Sequence, residues 1–206
     1  PIYIWYDGEN KYLYYYSEAD EIYLNEDSSY MFSYLKRLST IEEIEDWNSI
    51  DTTNMECMFY YAEYGATTFN IDLSNWNTSN VTNMSYMFYY AAYSATDVEL
   101  NVSKWHLTNV ENMYEMFYAF GYYAENLVLT ANNWDFSNST TFNEDNYEML
   151  EYMFSYTGDS ALNVTINIDN WNLTNVDLYC SFYYMLCYAA GSAESFILNM
   201  NGWTLS

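Results

Sequence analysis

The chain has 206 residues, with 4 Lys and Arg against 29 Asp and Glu, so its formal net charge is -25. This charge excludes ordinary nucleic-acid binding, which needs cations to neutralise phosphates, and it disfavours anionic lipid surfaces. Hydrophobic residues make up 51% of the chain, too many for a disordered acidic protein, and no apolar run is long enough to span a membrane. Since the first residue is Pro1, we expect a mature or excerpted segment.

Residues 1–50 differ from the rest of the chain. Apolar runs at 2–6 and 12–16 are typical of a β-hairpin, and residues 21–24 predict a further short strand. Residues 31–47 resemble a shortened copy of the repeat that follows. Because a terminal repeat must shield the first apolar layer of an array, we interpret this region as an N-terminal β cap with a short lead-in repeat.

Two markers recur along the remaining chain. A Met-Phe pair, or Met-Leu in the last copy, begins at Met58, Met87, Met116, Met153 and Met185. A Trp recurs at Trp76, Trp105, Trp134, Trp171 and Trp203. Both series have successive spacings of 29, 29, 37 and 32 residues. Two independent markers shift together, so the repeat is real, and the longer spacings predict loop insertions at 140–148 and near 177–180.

Each repeat combines two periodicities. Residues 84–91 place Met, Met, Phe and Ala at the i, i+3, i+4, i+7 spacing of one helical face. Residues 98–102 alternate Val, Leu and Val with polar residues, as in a strand with one buried face. We therefore predict an α/β fold, a leucine-rich-repeat-like solenoid with stacked parallel strands on one face and short helices on the other.

The expected organisation has two parts. Residues 1–50 form the cap and lead-in repeat, and residues 51–206 form a solenoid of about five repeats of 29–37 residues. The Met, Phe and Trp columns are expected in the core. No capping sequence is evident after Trp203. Two expectations stay open there: the array continues in a longer protein, or its bare end meets a partner.

The repeat resembles a known family. The stretch DLSNWNTSNVTNMSYMF at 72–88 resembles the repeat signature of BspA-like leucine-rich-repeat proteins, which include mycoplasma surface lipoproteins and cell-wall-anchored proteins of gut Firmicutes. The sequence after the Met-Phe pair, at residues 60–67, is similar to that of a longer subtype of this repeat. The resemblance covers roughly residues 25–203, and the departures from the family pattern are a degenerate fifth copy and the lack of an anchor sequence within residues 1–206. It implies a bacterial, secreted or surface-anchored adhesion or binding module without enzyme activity.

The outward side chains of the predicted strands form two columns. We interpret them as a ligand-binding sheet face, an extended platform with about 4.8 Å between neighbouring strands. The alternative is a solvated or Asn-ladder surface that only finishes the sheet. The predicted binding residues are Asn70, Asp72, Glu99, Asn101, Val128, Thr130, Thr165 and Asn167.

Tyrosines recur on the helix side, away from the Met and Phe positions. Tyr offers large contact area at little entropic cost, and aromatic faces also stack on sugar rings. We therefore predict an aromatic contact stripe, with packing between repeats as the alternative. Its members are Tyr60, Tyr61, Tyr64, Tyr89, Tyr90, Tyr93, Tyr118 and Tyr122.

No catalytic constellation is evident. His106 is the only histidine, and the nucleophile, zinc and phosphate-binding motifs of known enzymes are absent from the sequence. The sequence thus predicts no enzyme activity, no metal site and no cofactor. Weak Ca²⁺ binding is kept as an alternative, because clustered oxygen donors suit a hard cation. The donors for it are Glu42, Glu43, Glu45, Asp46 and Asp51.

Two functions remain in competition. The first is an extracellular or cell-surface adhesion module whose partner is a host or neighbour-cell glycoprotein or a polysaccharide. The second is a structural subunit that binds copies of itself, end to end, in an extracellular fibre or surface layer. The negative charge opposes such a fibre unless cations bridge the subunits. Neither function involves nucleic acid or direct membrane insertion.

Overall fold

The protein is a parallel β-solenoid. The computed structural model describes residues 2–7, 9, 12–38, 40–63, 67–137, 149–174, 176 and 182–205. An N-terminal hairpin pairs β1 (Ile2–Asp7) with β2 (Tyr12–Ser17) in antiparallel fashion. A sheet of five parallel strands follows, formed by β3 (Thr68–Asp72), β4 (Asp97–Asn101), β5 (Asn126–Thr130), β6 (Asn163–Asn167) and β8 (Ser195–Asn199). A separate short parallel pair joins β7 (Asn172–Leu173) to β9 (Thr204–Leu205).

The alternating sequence pattern of the strands is confirmed. Each repeat contributes one strand to the large sheet, and the register pairs every strand residue with its counterpart in the next repeat. In β3, β4 and β5 the second and fourth residues are buried and the first and third are exposed. Burial of one side-chain row per strand is what a period of two residues provides.

The tryptophan column joins the repeats in the core. Trp105, Trp134 and Trp171 are fully buried, and the ring centroids of Trp134 and Trp171 lie 5.1 Å apart. Each indole N–H donates to a backbone carbonyl just beyond a strand of the preceding repeat, as Trp134 does to Val102 over 2.7 Å. These bonds satisfy a buried donor and fix each repeat on its neighbour.

The predicted helices on the other side are wrong. The described residues contain no α-helix, and their one helical element is the 3₁₀ turn Ile44–Asp46. Residues 84–95 instead form consecutive turns, with left-handed φ angles of 57°, 53° and 53° at Tyr86, Tyr90 and Ala92. Some N–H groups of this stretch close turns to the third residue back, and others donate to the next repeat, as Tyr86 does to Tyr114. We call these stretches the turn side.

The repeat spacing explains why helices do not form. On the turn side, the rings of Phe59 and Phe88 stack with centroids 5.0 Å apart, and those of Phe88 and Phe117 with centroids 5.4 Å apart. Both sides of the solenoid therefore advance by about one strand spacing per repeat. Packed helices need about 8–10 Å between their axes, so they do not fit in this space. The inward Met, Phe and Ala positions are still buried, because the turns also direct them to the core.

Outside the large sheet the predictions hold less fully. The predicted N-terminal hairpin is formed, but the strand expected at 21–24 is reduced to a single bridge between Tyr23 and Asn48. The insertions expected at 140–148 and 177–180 lie outside the described residues. The last strand of the large sheet, β8, has exposed apolar side chains at Phe196 and Ile197.

Candidate binding surfaces

The outward side of the five-stranded sheet, which we call the sheet face, carries two side-chain columns. The register places the members of each column on neighbouring strands. One column is Asn70, Glu99, Val128, Thr165 and Ile197. The other column is Asp72, Asn101, Thr130, Asn167 and Asn199. All eight residues predicted for this face therefore lie where the strand pattern places them.

The column at the strand ends is bonded to itself. Asn101 Nδ2 donates to Asp72 Oδ2 over 3.2 Å, and Asn199 Nδ2 donates to Asn167 Oδ1 over 2.7 Å. The remaining carboxylate oxygen of Asp72 and the amide oxygen of Asn101 each accept the backbone N–H two residues on. These side chains use much of their hydrogen-bonding capacity to end each strand and to hold the next one.

The mid-strand column is more exposed and changes character along the solenoid. Asn70 and Glu99 are exposed polar groups at its beginning, whereas Val128 is 37% exposed and Ile197 is 50% exposed. The sheet face is thus polar at one end and more apolar at the other. No continuous patch of a single chemistry results.

On the turn side, the predicted aromatic stripe is a set of stacked rings. In successive repeats, ring centroids lie 4.9 to 5.2 Å apart with interplanar angles of 3° to 27°. The stacked pairs are Tyr60–Tyr89, Tyr61–Tyr90, Tyr89–Tyr118 and Tyr93–Tyr122. Tyr64, also predicted for the stripe, lies outside the described residues. The left-handed turns direct these side chains away from the core, and each repeat adds one ring to each row.

The stacked tyrosines are partly buried, and Tyr60, Tyr89 and Tyr118 keep their protons at physiological pH. Burial raises the pKa of Tyr60 and of Tyr118 to about 12, with smaller contributions from neighbouring tyrosines. Burial is also the main reason that the pKa of Tyr89 is raised. The phenol groups therefore offer neutral hydroxyls that donate and accept hydrogen bonds.

The structure extends the stripe beyond its predicted members. A further row contains Tyr86, Tyr114, Tyr152 and Tyr184. The sequence carried a signal for it, since three of these residues directly precede the Met of the Met-Phe marker. We call the whole surface the tyrosine face: Tyr34, Tyr60, Tyr61, Tyr86, Tyr89, Tyr90, Tyr93, Tyr114, Tyr118, Tyr122, Tyr152, Tyr156, Tyr184 and Tyr188.

One known protein family matches more than half of the chain. Residues 26–147 match the family described as "Mycoplasma protein of unknown function, DUF285". The chain belongs to this family. The matched range contains the first strands of the sheet and much of the tyrosine face. No curated protein and no solved structure matches the chain. The family's description assigns no function.

Within the part of the chain that the structure describes, no three His, Cys, Asp or Glu side chains gather into a metal-binding group. The acidic residues proposed for weak Ca²⁺ binding are in this part, and Ca²⁺ binding by them stays a prediction. No helix among the described residues is long and apolar enough to cross a membrane.

Proposed function

We propose that this protein is a binding module displayed outside the cell, which holds a partner through its tyrosine face and does no chemistry. The observation that carries the proposal is the continuous row of ring contacts along the turn side, from Tyr34 to Tyr188. Most neighbouring rings in this row are stacked, and those of Tyr118 and Tyr156 are tilted. The strand-end column of the sheet face, in contrast, is occupied by its own hydrogen bonds. The tyrosine face therefore has more capacity for an external partner.

A stacked tyrosine surface is preorganised for binding. Each ring is held by its neighbours, so little side-chain entropy remains to be lost when a partner docks. Tyr supplies apolar area and a hydroxyl in one side chain, which is why it is frequent in protein-binding surfaces. Several members of the tyrosine face remain strongly exposed, among them Tyr34, at 57%, and Tyr188, at 61%.

The expected partner follows from this chemistry. Aromatic rings with hydroxyls suit the sugar rings of a polysaccharide or the mixed surface of a glycoprotein. The resemblance of the repeat to BspA-like leucine-rich-repeat proteins supports a bacterial surface location and an adhesion role. The net charge of -25 excludes nucleic acid as the general partner.

An array of polysaccharides and host matrix glycoproteins tests this function with the purified chain. We expect selective, saturable retention by at least one member, with half-saturation unaffected by moderate salt because aromatic contacts dominate. Absence of retention across the array would contradict the proposed function. Retention that disappears with modest salt would point to charge rather than to the tyrosine face.

A second candidate function is end-to-end assembly into a fibre or layer. Its contact surface would include the apolar residues that the last described repeat exposes, namely Phe196, Ile197 and Met200. Sedimentation and negative-stain imaging with and without millimolar Ca²⁺ separate the two functions. A monomer in both conditions contradicts assembly. Ordered polymers that form only with Ca²⁺ would support cation-bridged assembly, and polymers indifferent to Ca²⁺ would support direct apolar contact.

We further infer that the N-terminal hairpin caps the array. Tyr15 of β2 packs edge-on against Trp47 at 5.3 Å and accepts the indole N–H of Trp47. Its own hydroxyl donates to the backbone carbonyl of Glu42 over 2.7 Å. Tyr15→Ala should lower the free energy of unfolding by about 1–3 kcal/mol if these contacts shield the first repeat. An unchanged unfolding midpoint would contradict a capping role.

A further inference from the structure

The tyrosine face opens into a groove between the third and fifth repeats. Its volume is about 590 Å³, which lies in the size range of small-molecule sites. Six of its eight lining residues are tyrosines. The lining consists of Tyr114, Glu115, Tyr118, Tyr152, Tyr156, Tyr184, Cys187 and Tyr188.

Two substitutions within the repeat explain why the groove exists. The residue directly after the Phe of the marker pair is Tyr60, Tyr89 or Tyr118 in earlier repeats. At the same position the last two repeats have Ser155 and Cys187, which are small. Two ring rows therefore stand apart there without a tyrosine between them, and the space becomes the groove.

The two walls of the groove are ordered by stacking. On one wall, the rings of Tyr152 and Tyr184 stack with centroids 5.2 Å apart. On the other wall, the rings of Tyr156 and Tyr188 stack with centroids 5.0 Å apart. The faces of these stacked pairs lie against each other, so the two walls present ring edges and hydroxyls at fixed positions. Tyr118 stacks on Tyr89 with one face and has Ser155 in place of the next tyrosine of its column, so its other face borders the groove.

Glu115 supplies the one acidic group of the lining. It is half-buried, and burial raises its pKa, while a hydrogen bond with Tyr114 lowers it. The residues at the same repeat position are Cys57, Tyr86, Tyr152 and Tyr184. No Lys, Arg or His belongs to the lining, so the described groove holds a carboxyl group without a cationic partner in its walls.

We propose that this groove binds an organic cation, an alkylated or quaternary ammonium group held by the tyrosine rings and neutralised by Glu115. Ring faces attract ammonium groups through their quadrupole, and aromatic cages use this attraction to recognise quaternary ammonium ligands. A carboxylate beside the cage supplies the opposite charge, and the attraction between the two charges offsets part of the cost of desolvating them. The inference rests on the proposed function, because it names a ligand chemistry for one part of the tyrosine face.

Two other guests fit the lining less well. A hard metal ion such as Ca²⁺ takes six to eight oxygen ligands, whereas this lining contains a single carboxylate. A neutral sugar would stack on the rings but would leave the half-buried carboxylate without a counter-charge. Both are separate outcomes of the experiment below.

Isothermal titration of the purified chain tests the proposal. The probes are choline, its neutral isostere in which carbon replaces nitrogen, trimethyl-lysine, and a neutral disaccharide. We expect choline to bind at least about tenfold more tightly than the isostere, because only the cation gains from the rings and from Glu115. If choline binds more tightly than trimethyl-lysine, the source of the cation is a headgroup. If trimethyl-lysine binds more tightly, the source is a protein side chain.

Three variants sharpen the titration. Glu115→Gln should weaken choline binding at least about tenfold, whereas the matched control Glu111→Gln, an exposed acid of the same repeat, should leave it unchanged. Cys187→Tyr restores a tyrosine at the missing position and should abolish binding by filling the groove. Unchanged unfolding midpoints show that each variant is folded.

The outcomes separate this inference from the proposed function. Equal affinity for choline and its isostere, preference for the disaccharide, or no binding of either cation would overturn the cation site. Array retention could then still support the adhesion function. Choline binding that depends on Glu115, without any retention on the array, would support the groove and contradict the adhesion function.

Discussion

The sheet face and the tyrosine face are built on the same principle with different side chains. On both, one residue per repeat lies beside its counterpart, about 5 Å away, and backbone N–H groups cross to the neighbouring repeat. The sheet face carries short polar side chains such as Asn101, which bond sideways to Asp72. The tyrosine face carries rings such as those of Tyr60 and Tyr89, which stack sideways.

The difference lies in what the side chains on each side have left for other contacts after they have joined the next repeat. Short amides and carboxylates spend their few hydrogen bonds on the next repeat, so their column finishes the sheet. Stacked phenols use ring faces for the next repeat and retain ring edges and hydroxyls for other contacts. The predictions below alter one side at a time.

Alkali should have the largest effect, because it charges the tyrosine face and leaves the sheet face unaltered. Burial raises the pKa of Tyr60 and Tyr118 from 10.0 to about 12, so the folded state holds these protons more tightly than the unfolded state. This contribution to stability is complete below pH 10 and is lost as the pH rises to about 12. We expect cooperative unfolding in that window, followed by tyrosinate absorbance and tryptophan fluorescence.

A hydroxyl deletion provides the control for alkali. The double variant Tyr60→Phe with Tyr118→Phe keeps both rings and should unfold at higher pH than the wild type. Tyr16→Phe, which alters an exposed hairpin tyrosine, should not shift the midpoint. An identical midpoint for all three proteins would show that the tyrosine face does not set alkaline stability.

Removing a tryptophan that connects the two sides should have the next largest effect. Trp134 donates to Val102 beside the sheet, and its ring lies 6.5 Å from that of Phe117 on the turn side. Trp134→Ala should lower the free energy of unfolding by about 3–5 kcal/mol in urea titrations. Trp203→Ala, at the half-buried end of the same column, should cost about half as much or less. Equal losses of unfolding free energy in the two variants would contradict the role of Trp134 in connecting the two sides of the core.

Gly121→Ala distinguishes the turns from the helix expected from sequence. In a helix this change stabilises by about 1 kcal/mol. Here Gly121 has φ of +58°, and a Cβ would lie 2.3 Å from Leu127 Cδ1. We expect a loss of about 1–3 kcal/mol in urea titrations, whereas Ala92→Gly, at the equivalent left-handed position, should be nearly neutral. Stabilisation by Gly121→Ala would favour the helix.

Trimming the polar column of the sheet face should have the smallest effect. Asn167 donates to Thr130 Oγ1 over 3.2 Å and accepts from Asn199 over 2.7 Å. Asn167→Ala removes both bonds at a partly exposed site, and we expect a loss of about 0.5–1.5 kcal/mol. Urea titration measures it, with Thr165→Ala on the same strand as control. An unchanged free energy of unfolding would mean that hydrogen bonds to water fully replace those within the column.

The strand half of the fold was predictable, because alternation has one structural solution. Val98 and Leu100 are buried while Glu99 is exposed, as the pattern requires. The spacing of Met84, Phe88 and Ala91 was ambiguous, since consecutive turns bury the same positions as a helix. What decides between them is the distance between repeats, a property of the stack that a single repeat does not contain.

The candidate sites divide in the same way. Repeat alignment was enough to place Tyr60 beside Tyr89 and Asp72 beside Asn101, since it gives neighbours within a column. The groove was not predicted from the sequence, because it depends on a tyrosine that is missing between two columns of rings. In the sequence Cys187 is a single-residue departure from the tyrosine of earlier repeats, and its role in opening the groove becomes evident only with the ring rows on either side.

The most direct test of the comparison between the two faces uses two double variants. Their retention is measured on the array member that retains the wild-type chain. Tyr89→Ser with Tyr90→Ser alters the tyrosine face, and Asn70→Ser with Glu99→Gln alters the exposed column of the sheet face. We predict that the first variant loses retention and the second keeps it, with both still folded. Retention by the tyrosine variant and its loss in the sheet variant would contradict the account and make the sheet face the binding surface.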